Sequence, residues 1–242
     1  APAAAVLAAS GDAPSFTIGT PPAILEDAGA QTVPGFATAI SHGPADESGQ
    51  TVSFNITGNT NAALFSVLPS IDSNGQLTYT PAANQNGVAT VTVQIHDDGG
   101  TANGGVDTGT PGGSPAMATV TVVAVNDAPT VTGSPADVTV TEDQTSNLDL
   151  SAVTVADVDS SPLTATLGVS AGTLAATSGG GVTVGGSGTG TGTLTLTGTA
   201  ANINAWLDNT SAIQYTGAAN ASGNNAATFT LKVNDGTVDS TV

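Results

Sequence analysis

The chain has 242 residues, with 19 acidic side chains against a single Lys or Arg and a formal charge of −18. That balance excludes a nucleic-acid binder working by phosphate neutralisation and disfavours anionic membrane surfaces, since both need Lys and Arg in numbers. There is no cysteine, hence no disulfide framework or thiolate metal site. No apolar run nears the ~18 residues of a membrane span, so no membrane insertion is expected.

Residues 1–11 form an N-terminal extension. Its apolar Ala4-Ala5-Val6-Leu7-Ala8-Ala9 lacks the basic start of a signal peptide. It is expected to be the last strand of a preceding module or a donor strand for a neighbour. Gly11-Asp12-Ala13-Pro14 then opens a first module over residues 12–126. In it Val88 to Ile95 and Ala118 to Val125 alternate with period two and are rich in β-branched residues, which predicts strands. Asn74-Gly75, Asn86-Gly87 and Asp98-Gly99 are turn signals, and Asp98 begins a Gly-rich insertion through Ser114.

Asn126-Asp127-Ala128-Pro129 repeats the opening and starts a second module, residues 127–242. Strands are expected over Val138–Thr141, Leu148–Val155, Leu163–Val169, Leu194–Thr197 and Thr228–Val233. Thr199 is placed to cap a short helical turn through Leu207, with Ile203, Trp206 and Leu207 plugging the second core. Only Val238–Val242 follow the last turn, so this module is expected to lack its final strand. The pattern is all-β: two tandem antiparallel β-sandwich modules.

The two modules share more than their openings. Leu25-Glu26-Asp27 returns as Thr141-Glu142-Asp143, and His96-Asp97-Asp98-Gly99 as Val233-Asn234-Asp235-Gly236. If strands alternate direction along the second module, the loops holding Asp157, Asp159 and Asp235 return to the end where Asp127 enters. Four like charges gathered there repel by about 1 to 4 kcal/mol per close pair. A divalent cation among them would remove that cost. Calcium suits such a site, because it takes six to eight oxygens, whereas magnesium demands a strict octahedron.

Val125-Asn126-Asp127-Ala128-Pro129, Thr141-Glu142-Asp143, Asp157-Val158-Asp159 and Asn234-Asp235-Gly236 resemble the cadherin-like tandem repeats of large bacterial surface adhesins. The resemblance implies Ig-like, cadherin-like sandwiches at the cell surface or outside the cell, with Ca²⁺ at module junctions keeping the rod straight. The expected junction site comprises Glu26, Asp27, Asn126, Asp127, Asp157, Asp159 and Asp235, with a carbonyl from Asn84 or Asn86. A second site is expected from Asp12, Asp46, Asp97 and Asp98, with Glu47 as a further ligand.

The function read from these features is a non-catalytic structural segment of an extracellular fibre or adhesin stalk. Its partners would be neighbouring copies or modules, joined head-to-tail by strand donation. The alternative is a binding module that recognises a cell-surface glycan or protein through the Asp97–Pro115 loop. No enzyme is expected. Gly186-Ser187-Gly188 sits in a Ser/Gly/Thr-rich loop rather than a strand-to-helix elbow. His42 and His96 read as solvated loop residues. With 3% aromatics, Trp206, Tyr79, Tyr215 and the five Phe read as core plugs rather than a sugar platform.

Overall fold

In a computed structural model, residues 11–110, 115–133, 135, 137–186 and 191–240 are described. The N-terminal extension, apart from Gly11, and the Ser187-Gly188 pair lie outside them. The chain divides into two compact units between Val125 and Asn126.

In the first unit the longest strand is Gly87–Asp97, where alternate residues Ala89, Val91, Val93 and Ile95 are fully buried. Burying each of the larger ones contributes about 1.5–3 kcal/mol, so this strand fixes the sheet's inner face. It pairs antiparallel with Val52–Asn59 on one side and Ala116–Val123 on the other, and Thr108–Gly109 also pairs with it. Ile24–Leu25 runs parallel along the outer edge of Ala116–Val123. A second sheet, Gln31–Val33, Leu77–Pro81 and Phe65–Ile71, and the ribbon Ser15–Ile18 with Ala37–Ser41 complete the unit. Phe16, Phe36, Leu64, Leu77 and Tyr79 join the inner-facing valines in one core.

The second unit has its own core, built on Leu163, Leu167, Leu174, Leu194, Leu196 and Ile213. Its main sheet runs Thr183–Gly185, Thr193–Gly198, Leu163–Val169, Phe229–Asn234. Opposite lie Thr145–Asn147, Ile213–Thr216 and Thr173–Ala176, with a ribbon of Thr130–Thr132 and Thr154–Ala156. The helix Ala200–Leu207 starts where the sequence placed it, with Thr199 Oγ1 accepting the Asn202 N–H at 3.1 Å. Ile203 and Leu207 are buried, but Trp206 is only partly so.

The all-β sandwich reading holds, with two local corrections. Val138–Thr141 is not a strand: apart from the half-buried Val140 its side chains are exposed, and the short strand near this end is Thr130–Thr132. Of the predicted Leu148–Val155 strand only Thr154 and Val155 lie in a paired strand, Thr154–Ala156, although Leu150 and Val153 are buried. Burial without pairing shows that alternation reported the core here, not a ladder.

Candidate metal centres

At one end of the first unit, where Gly87–Asp97 finishes, the alternation that buries Ile95 carries Asp97 inward as well; it is 1% exposed. Its Oδ1 accepts the Gly99 N–H at 2.9 Å, while Oδ2 is buried with no hydrogen-bond partner. The 3-10 turn Ala45–Glu47 brings in Glu47, 4% exposed. Glu47 Oε1 accepts the Asp12 N–H at 2.7 Å, and its Oε2 is likewise buried and unpartnered. Gln50 Oε1 is a third such atom.

These groups share one cradle. A Cβ added to Gly43 would collide with Glu47 Oε2 and lie 3.5 Å from the Asp12 carbonyl oxygen. One added to Gly11 would lie 2.9 Å from the Gly100 carbonyl oxygen and 3.7 Å from Glu47 Oε1. One added to Gly99 would press on the Gln50 amide. The missing side chains leave room for oxygens to converge. A buried carboxylate oxygen without a donor costs several kcal/mol unless a cation or proton meets it.

The four residues expected at this end have different fates. Asp97 enters the cradle. Asp12 joins through its backbone. Asp46 is exposed on the 3-10 turn. Asp98 is exposed and holds the Thr51 N–H and Oγ1, each at 2.8 Å, and these bonds, the backbone one foremost, lower its pKa. Gln50 was not foreseen. It lies three residues after Glu47, the spacing that stacks side chains on one face of a 3-10 turn, and its N–H bonds the Glu47 carbonyl at 2.9 Å. His96 Nδ1 lies 3.8 Å from Asp107 Oδ1 nearby.

At the other end of that unit Glu26 is 2% exposed, and its oxygens are engaged. Oε1 accepts the Val125 N–H at 2.6 Å and Oε2 the Asn86 amide at 3.4 Å. Glu26 therefore secures the exit of the last strand. Asp27 adopts a left-handed backbone, φ 62°, and accepts the Asn84 N–H at 3.2 Å. Its repeat counterpart does the same: Asp143 has φ 60° and accepts the Asn220 N–H at 3.3 Å. Glu142, the counterpart of Glu26, is exposed.

In the second unit the predicted acids form one hydrogen-bonded network. Asp157 Oδ1 accepts the N–H groups of Asp159 (2.9 Å) and Ser160 (2.6 Å), and its Oδ2 is buried without a hydrogen bond. Asp159 Oδ2 accepts the Asp127 N–H at 2.7 Å. Asn126 bridges the rest, donating to Asp235 Oδ2 at 2.6 Å and accepting from Ser160 Oγ at 3.2 Å. Asp235 Oδ1 accepts from Thr237 and the Val238 N–H. The Asn126 amide, then these donors, hold the Asp235 carboxyl far below the usual carboxylate range.

Among the described residues no three acidic or imidazole side chains stand together as a group able to hold a metal ion. Any ion here would need amide and backbone carbonyl oxygens as well, a mixed donor set that calcium accepts. Of the Asp97–Pro115 loop, residues 111–114 lie outside the described residues.

Two sandwich units with acidic strand ends define a chain of Ig-like β modules. Residues 12–109, most of the first unit, match the model of the family described as bacterial Ig domain. No curated protein matches the chain in sequence. Among solved structures it is similar to the N-cadherin EC1-4 fragment of Drosophila, at 11% identity and TM-score 0.32, over 96% of this chain and 50% of that one. It is also similar to an endo-fucoidan hydrolase of glycoside hydrolase family 107, at 12% identity and TM-score 0.32, over 96% and 29%. A third is the Yersinia pseudotuberculosis adhesin InvE, at 15% identity and TM-score 0.24, over 87% and 52%. The chain thus spans about half or less of each of these.

Proposed function

We propose that the chain is a non-catalytic structural segment of an extracellular fibre or adhesin stalk, its Ig-like units rigidified by calcium at their acidic ends. The coarser statement, an extracellular structural or binding module, follows from the bacterial Ig family match. Among the described residues no helix is long and apolar enough to cross a membrane. The observation that carries the calcium reading is the trio of buried, unpartnered oxygens on Glu47, Gln50 and Asp97, in a chain with one basic side chain. Glu47, Gln50 and Asp97, with the Asp12 and Gly100 carbonyls, would hold one ion. At the end of the second unit Asp157, whose Oδ2 is buried without a hydrogen bond, would hold another together with amide and backbone carbonyl oxygens of its network. Bound calcium would neutralise each cluster and tie loops from distant parts of the sequence, which stiffens the end of a module.

Thermal unfolding with calcium and with a chelator tests this. At calcium a hundredfold above its Kd the gain is about 2.7 kcal/mol, or roughly 10 °C in Tm for a unit of this size. Equal melting in calcium and chelator would sink the reading.

Head-to-tail assembly is a second element of the proposal, favoured by one edge. Strand Gly87–Asp97 is flanked on both sides, whereas among the described residues Phe229–Asn234 has a strand neighbour only in Leu163–Val169. Its free edge has begun to fill: Ser240 N–H bonds the Val233 carbonyl at 2.7 Å and Ser240 Oγ accepts the Val233 N–H at 3.1 Å. By the two-residue period the backbone groups of Leu231 and Phe229 point to the same edge. A strand from a neighbouring copy or module would extend that pairing. Sedimentation should show mass growing with concentration; a constant mass would contradict assembly between copies.

A further inference from the structure

On the second unit a groove of about 400 Å³ opens with Trp206 in its lining. One wall is a tight hairpin, in which Gly179 and Val182 exchange N–H···O bonds of 3.0 and 2.9 Å. The other is the end of the helix Ala200–Leu207 and the turn through Asn209, Ser211 and Ala212. Trp206, the only tryptophan in the chain, packs one part of its ring on the core and leaves the rest accessible.

The polar groups around it are already oriented. Asn209 Oδ1 is held by Ser211 N–H at 3.1 Å and Ser211 Oγ at 2.8 Å. This fixes the amide plane and leaves its two Nδ2 donors to point elsewhere. Ser178 Oγ accepts the Val184 N–H at 2.9 Å and keeps its own proton to donate. Although the chain has 19 acids, no charged residue lines the groove. Its volume falls within the roughly 300–1,000 Å³ of ligand clefts.

A ligand suited to these walls is uncharged, has one flat apolar face for the indole, and has hydroxyls at its rim. An acidic ligand would also meet the repulsion of a chain at −18. A pyranose ring meets each condition: its axial C–H face is apolar and its equatorial rim is hydroxylated. We infer that this groove binds a neutral glycan, one sugar ring stacked on Trp206 and its hydroxyls bonded to Asn209 and Ser178. The site is independent of the calcium reading, because none of its residues belongs to the acidic ends.

Trp206 is its own reporter. The intact chain is titrated with cellobiose, lactose and N,N′-diacetylchitobiose as neutral probes and with digalacturonate as a charged one, following tryptophan emission. At least one neutral probe should shift the emission saturably, with a Kd on the order of 1 mM, while digalacturonate should not. Asn209→Ala should weaken binding about fivefold or more through the lost hydrogen bond, and Ala205→Glu should abolish it. Both positions are exposed; Ala205→Glu should melt with the parent, and Asn209→Ala should lose only the turn bonds to Ser211, about 0.5–1.5 kcal/mol each, so that both variants remain folded. No response from any neutral probe, or a saturable response surviving in both variants, would overturn the inference. So would equal binding of digalacturonate.

Discussion

Glu47→Gln should change sign with calcium. The side chain is 4% exposed, with Oε1 bonded to the Asp12 N–H at 2.7 Å and Oε2 buried without a donor. Gln keeps the size and can keep the Asp12 bond, but its Nε2 donates where Oε2 only accepted. In chelator the variant therefore removes a buried, unpartnered carboxylate oxygen and its charge, worth about 1–3 kcal/mol in its favour, or roughly 4–12 °C in Tm. In calcium the same change removes an anionic ligand. If affinity falls a hundredfold at calcium a hundredfold above the parent's Kd, the variant forfeits most of about 2.7 kcal/mol of linkage. Calorimetric melting of parent and variant in both conditions reads the two signs directly. A shift of the same sign and size with and without calcium would refute the assignment of Glu47 as a ligand.

Two further predictions concern the fold. Gly75 has φ 81°, and a Cβ there would collide with the Ala37 carbonyl, whereas Gly29, φ 71°, has open space around it. Gly29→Ala should cost only the left-handed backbone, about 1–2 kcal/mol, and Gly75→Ala clearly more; equal denaturant midpoint shifts would count against the turn geometry. Asp72 Oδ1 accepts the N–H groups of Gln76 at 2.8 Å and Asn74 at 3.0 Å, and the Gln76 bond foremost lowers its pKa. A folded pKa below the unfolded value near 3.9 gives stability that is complete above that value and is lost as pH falls through the folded one. The Tm advantage of the parent over Asp72→Asn should thus shrink below about pH 4, and an advantage constant into acid would contradict it.

Much of this was legible in the sequence because alternation and punctuation agreed. The strands Gly87–Asp97, Leu163–Val169 and Thr193–Gly198, and the Thr199 cap, lie where β-branched runs and a capping residue put them. The same parity that buries Ile95 separates Asp97, which is buried, from Asp98, which is bonded to Thr51 at the surface. The choice of Glu47 over Asp46 was not available, since a short 3-10 turn carries no apolar stripe to orient it. Nor was the exposure of Trp206: Ile203 and Leu207 share its helix and are buried, and which member of an apolar face overhangs the core's edge depends on the neighbouring hairpin at Gly179–Val182. Val138–Thr141 failed for a related reason, because alternating β-branched residues describe a surface able to pair but do not supply the partner strand.

The central claim is that oxygens at the acidic ends are built to receive calcium, and isothermal titration of the chelator-treated chain tests it most directly. The account predicts saturable calcium binding that loses at least one equivalent in the Glu47→Gln, Asp97→Asn double variant while the fold persists. Heats no larger than dilution in the parent chain, or a stoichiometry untouched in the variant, would contradict it.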